Sequence, residues 1–304
     1  MMPIKQWLKF VFIGTSGLRG GWRFVAFLGS FIFLEAAAFK LLAALTHNQD
    51  FDAFTAPDVV VAEAVDIIVV LAVSYALARL ERRGLEWFGF PLRFAFGTDF
   101  WKGILFGGGM VSILFLAVLL SKGAAIQGLA MHGMAFVGWL ALWILAMMLV
   151  GISEELQFRG YPLAALTSGI GFWPAAIVLA LIFGGLHYFG KPMETVADGL
   201  SVSILGLFTC FTVRRTGTLW FAMGFHAAFD FFALAFYGSP NTGNQGLPLE
   251  NHLLDATFGG PSWLTGGPQG LEASWLMFPL LVVAFALLHW MYPEIRFPQE
   301  PRTA

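Results

Sequence analysis

Cysteine is all but missing from this 304-residue chain, and charge is scarce. The single thiol, Cys210, excludes an internal disulfide framework and any cysteine-based zinc site, since both need at least a pair of thiols. Asp, Glu, Lys and Arg make up only 12% of the residues, so most of the surface faces something other than water. A net charge of −2, with no basic stripe interleaved with aromatics, sets nucleic acid aside as a partner. The apolar run after Lys5 and Lys9 is interrupted around residues 17–20 and has no small-residue cleavage site behind it, so no removable signal peptide is read. No repeat, long linker or low-complexity tract divides the sequence.

What the chain has instead is apolar bulk. Hydrophobic residues account for 58% of it, with 33 Phe and 11 Trp. Aromatic rings pack against acyl chains, and Trp collects at the headgroup boundary, so the implied partner is membrane lipid. Stretches long enough to cross a hydrocarbon core fall near residues 24–45, 59–79, 103–120, 134–155, 172–190, 199–213, 218–237 and 273–292. The sixth is short for a span. The expected fold is all-α: one polytopic transmembrane helical bundle of about eight spans, a single membrane domain over residues 1–304.

Orientation follows from the 17 Lys and Arg, because short cytoplasmic loops carry an excess of them. With an even number of spans, both termini share a side. Fourteen fall on that side: Lys5, Lys9, Arg19, Arg23, Arg79, Arg82, Arg83, Arg93, Lys102, Arg159, Arg214, Arg215, Arg296 and Arg302. Lys122 and Lys191 fall on the other, and Lys40 lies within the first span. The expectation is an integral protein of the cell's inner (plasma) membrane with both termini cytoplasmic and the loop 238–272 external. That loop, rich in Gly and Pro, reads as a connection rather than a gate.

An ionisable side chain at the centre of a spanning helix costs about 2.5–3.5 kcal/mol on insertion scales, so each one needs a partner or a task. Glu155 and Arg159 are four apart with the acid first, the order that lets them pair along one helix face. Glu154, rotated about 100° from Glu155, is the carboxylate left available. His187 follows Phe183 at helical spacing, and Gly184 and Gly185 leave room beside that helix for close approach. His226 and Asp230 share one face of the seventh span, either as an imidazole held by a carboxylate or as two groups pointing into one cavity. Glu35, Lys40, Glu63 and Asp66, near the external ends of the first two spans, read as interhelical ion pairing, with Lys40 answering Glu63 or Asp66; a proton or ion path is the sharper alternative, which nothing in the spacing favours. Taken singly, the first three sites have structural explanations, since a lone His is often only hydrogen-bonded and an acid–arginine pair only a staple. Together they favour one shared polar cavity. A carboxylate and an imidazole within reach of one water can make it a nucleophile, while further donors stabilise the oxyanion it creates at an amide carbonyl. The same residue types also suit a divalent metal such as zinc, with Glu154, His187, His226 and Asp230 as candidate ligands. The His-Glu-x-x-His signature is absent.

In this order, on successive apolar segments within residues 135–237, Glu154-Glu155-x-x-x-Arg159, Phe183-x-x-x-His187 and His226-x-x-x-Asp230 resemble the three motifs of the CAAX prenyl protease and bacteriocin-processing (CPBP) family of intramembrane proteases. The resemblance implies an intramembrane endopeptidase acting on a membrane-associated peptide or protein, including prenylated CAAX-type substrates. It implies Glu154 and His187 as activators of water, Glu155 and Arg159 as support, and His226 with Asp230 as oxyanion stabilisers. The family's prenyl proteases carry Asn where this chain has Asp230. An ionised Asp repels an oxyanion, so Asp230 must be protonated, orient His226 or bind a metal. Depth raises a second difficulty. His187 lies about 21 Å beyond Trp173 and His226 about 12 Å beyond Thr218, and one site requires the two to converge through tilt, a re-entrant start near residues 169–174, or a fourth helix running past Arg159. Two other functions compete: a non-catalytic scaffold or bacteriocin self-immunity protein of the same fold, and a proton-coupled transporter. The transporter would be expected to show inverted repeats with broken helices, and none is seen.

Overall fold

The computed structural model describes residues 11–14, 17–46 and 54–297. Lys5, Lys9 and Arg302, used above to set orientation, lie outside them. Nine helices carry the bundle: α1 (Gly20–Thr46), α2 (Ala56–Leu80), α3 (Thr98–Leu120), α4 (Met134–Arg159), α5 (Tyr161–Ile170), α6 (Phe172–Gly190), α7 (Val196–Thr216), α8 (Trp220–Asp230) and α9 (Met277–Met291). Six helical stretches are long and apolar enough to cross a membrane, with α4 and α5 counted together. Two shorter apolar helices, Trp220–Phe236 and Met277–Met291, lie where the seventh and eighth spans are expected. The chain is therefore an integral membrane protein. The sixth expected span is longer than 199–213, because Thr195 caps it through its hydroxyl and it runs on to Gly217, whose φ of 80° ends it.

Local chemistry explains the helix limits nearest the site. Helix α4 extends past residue 155 to Arg159, where the chain turns at Gly160 and Pro162 opens α5 as a separate helix. Gly171, at φ +81°, then reverses the chain into α6. Beyond Asp230 the backbone widens into a π-helix, Phe231–Phe236. Two of its carbonyls are taken by the segment that follows, from Ser239 N to Ala233 O at 3.1 Å and from Leu253 N to Ala235 O at 2.7 Å.

The all-α expectation holds apart from two small antiparallel ribbons. Strands β1 (Ile13–Gly14) and β2 (Gly17–Leu18) form one, and β3 (Ala124–Leu129) and β4 (Leu254–Phe258) the other. In the second, Ala124 faces Phe258 and Leu129 faces Leu254, with a bulge between Ile126 and Gly128.

Small residues set how closely the helices meet. A Cβ at Gly103 or Gly107 of α3 would collide with the Phe221 or Phe225 carbonyl of α8, so these backbones touch only because both positions are glycine. On the arginine-rich side, Arg23 Nη1 lies 3.2 Å from Glu81 Oε2, and Tyr161 donates to Glu81 Oε1 at 2.5 Å, fastening α5 to the start of α1 and the end of α2.

Candidate active site

Helices α2, α4, α6, α7 and α8 surround a cavity of about 410 Å³. Every candidate named from the sequence lines it: Glu154, Glu155 and Arg159 from α4, His187 from α6, and His226 and Asp230 from α8. The two depths converge. Phe183 lies between the imidazoles, its ring centroid 4.6 Å from His187 and 6.2 Å from His226.

The hydrogen bonds define a distinct position for each group. His226 stands among three carboxylates: Nδ1 is 2.9 Å from Glu155 Oε1, and Nε2 is 3.5 Å from both Glu154 Oε2 and Asp230 Oδ2. A ring protonated on both nitrogens satisfies this arrangement. Glu155 is fully buried and also pairs with Arg159 at 3.5 Å; Arg159, 1% exposed, lies with its guanidinium 4.3 Å over the Phe183 ring. Glu155 is thus engaged on two sides. Glu154, 25% exposed at its side chain, is the more open acid of the pair. His187 donates from Nδ1 to the Phe183 carbonyl at 3.0 Å, which leaves Nε2 as its acceptor. Both it and Glu154 line the cavity.

Most imidazole nitrogens at the site are already engaged. Both nitrogens of His226 are turned to carboxylates and Nδ1 of His187 is turned to a carbonyl, leaving Nε2 of His187 as the single free imidazole nitrogen. Catalytic zinc takes three protein ligands. Among the described residues, no group of three His, Cys, Asp or Glu side chains is arranged to hold a metal ion.

One reading from the sequence is corrected. Lys40 does not answer Glu63 or Asp66: it is exposed and in no ion pair among the described residues. Glu63 and Asp66 instead face the cavity, Glu63 against Ser153 of α4 and Asp66 against Glu35 of α1. The physical reason is the turn of α2, since residues three apart share a face and this face looks toward Glu154 rather than toward α1's exposed lysine.

Sequence reasoning also missed the far wall. Lys191, just past α6, and Pro240, Asn241, Gln269, Leu271 and Glu272 from the segment after α8 all line the cavity. Thr242 donates to Glu194, Gln269 to the Met193 carbonyl, and Leu271 N to Ser239 Oγ at 3.0 Å, so the segment is tied down over the site. Burial pushes the Glu272 carboxyl up to about 7, with Lys191 opposing the rise.

Fold and cavity together define a polytopic membrane protein with an acid-and-imidazole site inside its helical bundle. Residues 135–232 match the family described as type II CAAX prenyl endopeptidase Rce1-like, in agreement with the CPBP motifs. A Bacillus subtilis (strain 168) protein, "Uncharacterized protein YyaK", is 30% identical over 132 residues, which is 40% of this chain and 42% of that relative. The chain thus spans under half the length of the curated relative it matches. No solved structure matches.

Proposed function

We propose that the chain is an intramembrane endopeptidase that hydrolyses a peptide bond of a membrane-associated polypeptide with water activated by Glu154. The observation that carries this reading is the meeting of Glu154, His187 and His226, from three helices, at one cavity of about 410 Å³ within the Rce1-like segment. Paired acids, two imidazoles and an open cavity inside lipid are hard to account for as helix glue alone.

In this reading Glu154 takes the proton of a water held between it and Nε2 of His187. The oxygen attacks the amide carbon, and the carbonyl electrons move onto the oxygen. His226 donates Nε2–H to that oxyanion, the type of pre-positioned donor whose removal costs about 10²–10³ in rate. Glu154 returns the proton to the leaving amine. Asp230 is an orienting group: at 3.5 Å from Nε2 it shares His226 with Glu154, which fits the second of the roles open to an aspartate here. Glu155 and Arg159 hold the other edge of the ring. No step passes through a metal.

The test is to express wild type and Glu154→Ala at matched levels and map the termini of membrane-associated proteins by mass spectrometry. Cleaved termini that depend on the wild type establish the protease and name its substrate. Identical maps from two folded proteins would favour a scaffold or immunity role.

A further inference from the structure

The cavity is sealed toward one face of the bundle and built from loop residues toward the other. On the sealed side, Glu155 and Leu156 are fully buried, α5 is buried from Tyr161 to Thr167, and α8 is buried from Trp220 to Phe225. The packing continues to Phe297, 1% exposed, whose backbone N–H and that of Arg296 donate to the Arg214 carbonyl at 3.2 and 2.9 Å. This is also the basic face. It carries Arg79, Arg82 and Arg83 at the end of α2, Lys102 in α3, and Arg214 and Arg215 at the end of α7.

The other side is different in kind. His187 lies three residues before the end of α6, about 5 Å along the axis. Gly190 is exposed and Lys191 half-buried at the cavity wall, and the remaining wall comes from Asn241, Gln269 and Glu272. Basic residues described on this side are only Lys40, Lys122 and Lys191. Lys and Arg accumulate in cytoplasmic loops, so the sealed face is the cytoplasmic one.

We infer that the cavity is entered from the non-cytoplasmic side of the membrane, and that its substrate is a membrane-anchored or exported polypeptide whose cleavable segment is displayed on that side. The substrate class rests on the endopeptidase reading; the direction of entry rests on packing and charge alone. The water consumed in hydrolysis takes the same route, since the layer from Tyr161 to Phe297 is buried on the opposite side.

Single-cysteine variants test the direction without any need for turnover. Cys210, fully buried, is replaced by Ala, and a membrane-impermeant maleimide is applied to intact cells and to lysed membranes. Leu247→Cys, at a position 62% exposed, reports the side of the loop; Lys191→Cys reports the cavity mouth; Arg296→Cys, at a side chain 53% exposed, reports the opposite face. The expected result is labelling of Leu247→Cys and Lys191→Cys in intact cells and of Arg296→Cys only after lysis. Labelling of Leu247→Cys only after lysis would overturn the orientation. A Leu247→Cys that labels beside a Lys191→Cys that does not would overturn the entry route. If labelling comes out as expected while wild type and Glu154→Ala give the same termini, the protease reading fails and the direction of entry stands.

Discussion

Nδ1 of His226 lies 2.9 Å from Oε1 of Glu155, joining the third sequence motif to the second acid of the first. Read along the chain, Glu155 belongs to Arg159, four residues on. In the folded bundle it belongs to both, and through it α4 fixes the rotation of an imidazole on α8. The two adjacent glutamates therefore have separate positions, Glu154 toward the cavity and Glu155 into the packing behind it.

Glu155→Gln should destabilise the protein more than Glu154→Gln does, although the residues are neighbours. Without the Glu155 charge, Arg159 is left buried at 1% exposure beside no counter-ion, and breaking such a pair costs about 3–5 kcal/mol. Thermal unfolding of the purified variants in detergent, followed by Trp fluorescence, measures it. Equal melting temperatures would remove Glu155 from this structural role.

Asp230→Asn should keep cleavage within about tenfold of wild type, because an amide oxygen still reaches Nε2 of His226. Asp230→Ala should lose about 10²-fold, the scale set by a catalytic group displaced by about an ångström. The readout is the yield of the substrate terminus found with the wild type. A larger loss for Asn than for Ala would show that the charge of Asp230 matters beyond orientation.

The contact of α3 with α8 predicts a contrast between near neighbours. A Cβ at Gly107 meets the Phe225 carbonyl, one residue before His226, whereas a Cβ at Gly109 meets open space. Gly107→Ala should lower both melting temperature and cleavage, and Gly109→Ala neither. Matched behaviour of the two variants would contradict the close approach.

Chelation should leave cleavage unchanged. With His226 turned to carboxylates on both edges, the cavity offers Nε2 of His187 as its one free imidazole nitrogen. Cleavage assayed in washed membranes with and without a membrane-permeant zinc chelator checks this. Loss of activity restored by added zinc would require His226 to swing away from Glu155.

Much of this arrangement was legible before any coordinates. Apolar length alone locates the long apolar helices, and the four-residue spacings of Glu155 with Arg159 and His226 with Asp230 mark faces that do meet in space. The inward face of α2 was not legible. That helix is apolar nearly all round, with little amphipathic contrast to say which stripe is buried, so the sequence pattern points Glu63 and Asp66 to Lys40 instead of to the cavity. Nor was the far wall. Its residues come from 191 and from 240–272, in loops whose places are set by tertiary hydrogen bonds such as Leu253 N to Ala235 O rather than by any local period. The π-helix after Asp230 has the same origin, since the carbonyls it frees are answered by residues further along the chain.

The β3–β4 ribbon imposes an order on biosynthesis. Its partners lie on either side of five helices, with Ala124 emerging from the ribosome 134 residues ahead of Phe258, its opposite number. A nascent chain that has already inserted α4, α6 and α8 holds all three motifs but not the segment that walls the cavity. The newly made protein therefore lacks one wall of its cavity until translation passes residue 272, and the cavity is enclosed only when the last helix is being made.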